Sequence, residues 1–258
     1  MSGPLRVETE LDPATFVGVV EFENGPANAL NPELLGEIGA GLRKLAGSGC
    51  RAVVLRSTGR HFCAGADLSG GRPGSAEGTG VAELYAQVPS LFEQPLPMVA
   101  AVQGAAIGGG LGLALVADFR VASPEARFSA NFAVLGFHCG FALSETLPEV
   151  VGRQRAAELL LTGRRITGEE AFAIGLCDRL VPAERLVDEA VALAGSLAAA
   201  APLAVTAMRR TLRGDVGDRV RRALVHERAE QERLMTTGDF REGVRASRQR
   251  RAPEFRGA

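Results

Sequence analysis

The sequence predicts an α/β fold that carries a helical extension towards its C-terminal end. Three observations support this. Short apolar runs of strand character alternate with helical periodicity along the first part of the chain. Two glycine-containing segments follow such runs directly. From Ala183 onward the pattern is helical.

Thr15–Phe22 is a β-rich run, and Glu33–Leu45 has helical spacing with Pro32 at its start. Ala52–Ser57 (AVVLRS) reads as a short buried strand. Met98–Gln103 (MVAAVQ) reads as another, entered through Pro95 and Pro97, and Arg120–Ala122 continues the series. The glycine-rich stretch Ser69–Gly80 contains no large apolar residue, so it is either an inert connector or a mobile lid beside a site. Leu186–Ala200, Leu203–Leu212 and Gly217–Thr236 read as helices, and Asp239 as the N-cap of a last helix reaching Arg250.

The chain has 258 residues, room for one large domain or two small ones, and its 46% of apolar residues can fill a sizeable core. A formal net charge of −1 leaves no global basic field to recruit nucleic acid or an anionic membrane. Cys50, Cys63, Cys139 and Cys177 are scattered, with no CxxC pair and no histidine at ligand spacing, which predicts free thiols and no metal site. Met1–Thr9 has no apolar signal core, and no run reaches the roughly 18 apolar residues of a membrane helix. The expectation is a soluble, cytoplasmic chain with no membrane partner.

Two segments carry the chemistry. His61-Phe62-Cys63-Ala64-Gly65-Ala66-Asp67-Leu68 follows a strand, and in Ala100 to Ala114 a strand runs through Gly108-Gly109-Gly110 into a helix. Small residues let a ligand approach the backbone, and unpaired amides there suit a phosphate or a developing oxyanion. A dinucleotide fingerprint fails, because Gly108 and Gly110 fit its first two positions but Leu113 stands at the third. GxxxxGK[ST] and GxSxG are absent.

AGADL, then AAVQGAAIGGGLGLALVADFRVA, then LLLTGRRITGEEAFAIGLCDRLVP, and finally TGDFREGVRASRQRRAPEFRG resemble the crotonase superfamily (the enoyl-CoA hydratase/isomerase family) in order and spacing. The resemblance covers about Asn28 to Gly257. It implies a ββα spiral core over 1–200 and a C-terminal helical oligomerisation region over 201–258, assembling into homotrimers or hexamers. It implies an acyl-CoA substrate and no bound cofactor, coenzyme A being part of the thioester. It places the two amides that stabilise a thioester enolate on Ala66 and Gly109, and lines the adenine and pantetheine path with Ala64, Asp67 and Leu68.

The chain departs from that family at the acids. Hydratases carry one glutamate two residues after the glycine triplet, where this chain has Gly112. The second lies in a segment matching Phe128–Gly136, where Phe132 holds its position. General acid–base catalysis is typically worth about 10²–10⁴-fold, so ordinary hydration is expected to be badly impaired. Gly140 likewise denies the chain the acid that isomerase-like and dehalogenase-like branches place nearby. Gly112 removes bulk while Phe132 adds an aromatic wall, an arrangement suited to a cyclic or branched acyl group.

Replacement acids and bases are few. His138 follows the missing glutamate and titrates near neutrality, so it is a candidate acid/base, or a structural histidine at a turn. Cys139 can serve as nucleophile only with a depressed pKa. Glu145 opens a helix, as a catalytic acid or as a first-turn acid. Tyr85, the only tyrosine, faces an acyl pocket or packs. His61, His226 and Asp118 read as structural. Arg251 and Phe255, in a tail with Arg241, Arg245, Arg248, Arg250 and Arg256, are candidate contacts for CoA phosphates and adenine, or form a solvated face. The functional expectation is an acyl-CoA-processing enzyme; the alternative is a non-catalytic acyl-CoA-binding or assembly subunit.

Overall fold

A computed structural model describes residues 5–66 and 80–258. β1 (Arg6–Leu11) and β2 (Val17–Glu23) pair antiparallel, from Arg6 opposite Glu23 to Leu11 opposite Gly18. β1 escaped the apolar pattern because it is an edge strand in which exposed Arg6, Glu8 and Glu10 alternate with half-buried Val7, Thr9 and Leu11. α1 (Pro32–Ala46) starts where predicted: Asn31 accepts the Leu34 N–H at 2.7 Å, and Pro32 occupies the first turn.

β3 (Ala52–Ser57) adds parallel to β2, and after α2 (Gly80–Phe92) the chain returns as β4 (Met98–Val102), parallel to β3. It then leaves that sheet. β5 (Ala105–Ile107) begins a second, smaller sheet and leads into α3 (Gly109–Ala114). The same step repeats. β6 (Phe119–Ala122) joins the large sheet beside β4, β7 (Arg127–Ser129) joins the small sheet beside β5, and α4 (Leu143–Thr162) follows, kinked at Gly152. β8 (Ile166–Thr167), α5 (Gly168–Ala173) and β9 (Arg179–Leu180) close the series. The sheet orders are β1-β2-β3-β4-β6-β9 and β5-β7-β8, so successive ββα units wind the chain as a spiral.

The middle strands are buried on both faces, which is why AVVL and MVAAV are continuously apolar. One face packs on α1 and α2; the other, through Ala52, Val54, Val99, Ala101 and Val121, meets α6 (Leu186–Ala199).

α7 (Pro202–Arg213) buries none of its residues within one chain. Asp118 holds it to the core: its carboxylate accepts from Arg209 Nε and Arg213 Nη1, each at 2.8 Å, and from the Met98 N–H at 2.8 Å. α8 (Val216–Leu234) packs on α2 and α4, and α9 (Gly238–Gln249) packs on a short 3-10 turn at Ala133–Leu135. The N-cap of α9 is Thr237, not Asp239; its hydroxyl accepts from the Phe240 N–H at 3.2 Å. Asp239 instead accepts the N–H groups of Arg256 and Gly257, both at 2.8 Å, and fastens the tail to the helix start. Among the described residues no single helix is long and apolar enough to cross a membrane.

Candidate active site

The two glycine-containing segments meet. The Cys63 N–H donates to Ala105 O at 2.8 Å and the Ile107 N–H to Cys63 O at 3.0 Å, pairing the first segment with β5. The Leu30 N–H donates to Gly65 O at 3.0 Å, which brings the loop before α1 beside Ala66. Gly65 has φ +92°, and a side-chain carbon there would fall 2.8 Å from Ile107 O and 4.0 Å from Gly109 N. Gly110 abuts the Cys63 carbonyl so closely that a Cβ has no room. Two glycines therefore permit this approach, one by its positive φ and one by its missing side chain.

Ala64, Ala66 and Gly109 are half-buried, while Cys63, Gly65, Gly108 and Gly110 between them are buried. Among the described residues neither the Ala66 N–H nor the Gly109 N–H donates to a protein acceptor. Such amides can both donate to one ligand oxygen. Asp67, Leu68 and most of the glycine-rich stretch lie outside the described residues.

Phe132 stands near this junction. Its ring lies 3.6 Å from the Cβ position of Gly108, and it packs edge-on against Phe137 at 5.3 Å between centroids. Gly112 corrects the sequence reading. It does not remove bulk, because the space beside it is filled by Phe141: a Cβ at residue 112 would lie 2.5 Å from Phe141 Cδ1 and 2.7 Å from its Cβ and Cγ. The same ring comes within 3.5 Å of the Cβ position of Gly109. Phe141 is 1% exposed.

His138 is turned elsewhere. Its ring meets the His226 ring of α8 edge-on at 5.6 Å, and its Nδ1 lies 2.9 Å from Cys139 O. Phe141, not His138, stands over the glycines. Burial pushes the Cys139 thiol up to about 12, reinforced by nearby Glu227, the reverse of what a nucleophile needs. Glu145 sits in the first turn of α4 as expected and pairs with Arg219 at 2.7 Å. Tyr85 packs inward: its hydroxyl donates to Gln231 Oε1 at 2.9 Å and occupies the place where a side chain on residue 140 would go. Burial raises its pKa. His61 accepts the Ala105 N–H at 3.2 Å, a structural role.

The tail differs from a free basic patch. Arg251 folds back on Glu242 at 2.5 and 3.0 Å, and Arg245 pairs with the same carboxylate. These guanidiniums, Arg251 first, and the Glu254 N–H hold Glu242 down at about 2. Phe255 is 43% exposed.

Glu227 is the residue that sequence reasoning missed. It lies on charged α8 yet is fully buried. It accepts the Ala142 N–H at 2.7 Å, the Ser144 N–H at 2.9 Å and the Ser144 hydroxyl at 2.6 Å. Desolvation nevertheless outweighs these donors and pushes it up to about 7. A signal existed: Val220, Leu224, Glu227 and Gln231 share one helical stripe, and all are buried.

A spiral of ββα units with two glycine-bearing segments converging at Ala66 and Gly109, whose N–H groups find no acceptor among the described residues, defines a class of protein. The description of the enoyl-CoA hydratase/isomerase family matches residues 14–258, and this chain belongs to that family, within the crotonase superfamily. It is 32% identical over 247 residues to a probable enoyl-CoA hydratase of Bacillus subtilis strain 168, covering 94% of this chain and 96% of the relative. The crystal structure of an enoyl-CoA hydratase/isomerase from Pseudoalteromonas atlantica T6c superposes with a TM-score of 0.84 at 32% identity, over 97% of this chain and 99% of that one. An enoyl-CoA hydratase structure from Mycobacterium avium subsp. paratuberculosis K-10 gives 0.83 at 27% identity, over 98% and 100%.

Proposed function

We propose that this chain binds an acyl-CoA thioester with its carbonyl oxygen between the N–H groups of Ala66 and Gly109, and acts on the acyl group through the enolate they stabilise. The convergence of Gly65 on Ile107 and Gly109 carries this reading, because it brings the Ala66 segment against Gly109, and among the described residues neither N–H has a protein acceptor. Losing one such donor typically costs roughly 3–4 kcal/mol in barrier. In this reading Ala64, Asp67 and Leu68 follow the CoA moiety through their backbone. No metal or bound cofactor enters the reaction.

The environment of the amides argues against ordinary hydration. Gly112 packs on Phe141, and position 132 carries a phenyl ring, so no carboxylate stands at either place where a hydratase holds its water. Isomerisation, decarboxylation and hydrolysis remain consistent with an enolate site. A second reading, an acyl-CoA-binding or assembly subunit without turnover, is favoured by that same aromatic replacement. Either reading includes assembly as a trimer or hexamer, supported by the exposed leucines of α7.

The test is a panel of acyl-CoAs incubated with the protein and read by mass spectrometry, with melting temperature measured in parallel. A mass change or double-bond shift in a thioester other than hydrated crotonyl-CoA is the expected result. Crotonyl-CoA hydrated at ordinary hydratase rates refutes the argument from Gly112 and Phe132. A thioester-dependent rise in melting temperature without turnover selects the binding subunit.

A further inference from the structure

Phe141 and Ala142 are consecutive non-glycine residues with positive φ, +61° and +58°. That conformation is uncommon for any residue with a side chain and unfavourable for a bulky one. It persists here because neighbouring groups hold the turn on both sides of Phe141. The Tyr85 hydroxyl packs against Gly140, the residue before the turn, and donates to Gln231. The Ala142 N–H donates to one Glu227 oxygen, and the Ser144 N–H and hydroxyl donate to the other. Gln231 Nε2 completes the clamp by donating to His138 O at 2.9 Å. Two residues of one face of α8 thus grip the turn between the 3-10 segment and α4.

The consequence lies at the other end of Phe141. The strained turn drives its ring against Gly112 and Gly109, into the volume that a side chain on residue 112 would need. A longer residue at 112 and the ring at 141 exclude one another.

We propose that Phe141 is the specificity-determining group of the thioester site, a hydrocarbon plug closing the acyl pocket beside the Gly109 amide, and that Glu227 is its positioning residue. The inference rests on the acyl-CoA reading above. It assigns the site a compact, wholly apolar acyl group next to the thioester, with room gained only when the ring leaves.

The experiment measures dissociation constants of the full-length protein for free CoA, butyryl-CoA and octanoyl-CoA by calorimetry. Removing the ring in Phe141→Ala opens a benzyl-sized space, so the butyryl-to-octanoyl affinity ratio is expected to shift at least tenfold towards octanoyl-CoA, with free CoA unchanged within about twofold. Glu227→Gln keeps the volume but offers one acceptor oxygen where two are used, and is expected to shift the ratio about threefold in the same direction. Should Phe141→Ala fail to fold, Gly112→Ala decides, since its methyl displaces the ring while retaining it; a shift of threefold or more is expected. An unchanged ratio in folded Phe141→Ala, or in Gly112→Ala where that variant decides, overturns the plug. An unchanged ratio in Glu227→Gln beside a shifted Phe141→Ala overturns the positioning role. If wild type binds free CoA and both thioesters equally well, the plug fails while CoA recognition stands. If it binds none of the three, the acyl-CoA reading fails and takes this inference with it.

Discussion

A single buried carboxyl shows how charge and packing compete in this molecule. Glu227 receives two backbone N–H groups and a hydroxyl, all of which favour its charged form, yet complete burial leaves it titrating at about 7. The ionisable side chains against it are the Cys139 thiol and the nearby Tyr85 phenol, both raised by burial and so neutral. The folded pKa lies above the ordinary carboxylate value of 4.5, so the folded state binds the proton more tightly than the unfolded chain. Its contribution to stability is therefore complete below about pH 4.5 and is lost as pH rises through about 7. Glu227→Gln removes that titration. Between pH 5.5 and 8 wild type is expected to lose about 2 kcal/mol more stability than the variant, read as a steeper fall of the urea midpoint. Equal slopes would show that Glu227 is charged throughout. His138, the acid/base candidate in the sequence, lies three residues before Phe141 but packs its ring against His226 of α8, while Phe141 holds the space at Gly112.

At the scale of elements, local chemistry explains most of what was legible. Pro32 and the helical spacing after it announced α1, and the all-apolar AVVL and MVAAV announced central strands. The small sheet was not announced, because β5 and β7 have three residues each and β8 has two, too short for any periodicity. α7 presents a different case. It is amphipathic and reads as helical, but its ionic attachment centres on one carboxylate, Asp118, shared between Arg209 and Arg213, which also donate to Gln94 O and Val116 O. All three side chains are largely buried, so removing the anion leaves two buried cations with carbonyl acceptors but no counter-charge. Asp118→Ala is expected to cost about 3 kcal/mol in denaturant unfolding, as for other broken buried pairs. A loss below about 1 kcal/mol would mean that α7 is held by other contacts.

The whole chain leaves a surface that its own fold does not use. Leu203 is 85% exposed and Leu212 86%, with Met208 also uncovered, on a helix with no buried residue. Several large apolar side chains exposed on one helix mark an interaction surface. Light scattering coupled to size-exclusion chromatography is expected to give a trimer or hexamer for wild type and a smaller species for Leu203→Glu with Leu212→Glu. A wild-type monomer would remove the assembly expected from the family resemblance.

The sequence by itself determined the family, the paired glycine segments, and the absence of carboxylates at 112 and 132. These rest on residue identity and order along the chain, which no folding step alters. Only the tertiary structure decided what took their place. Gly112 read as vacated space until Phe141, twenty-nine residues on, was seen to fill it. Glu227 read as one charge among many on α8 until the loop before α4 was seen to bury it. Both depend on contacts between distant segments. A side chain's volume and its desolvation are set by what surrounds it, so neither could be read from its position in the chain.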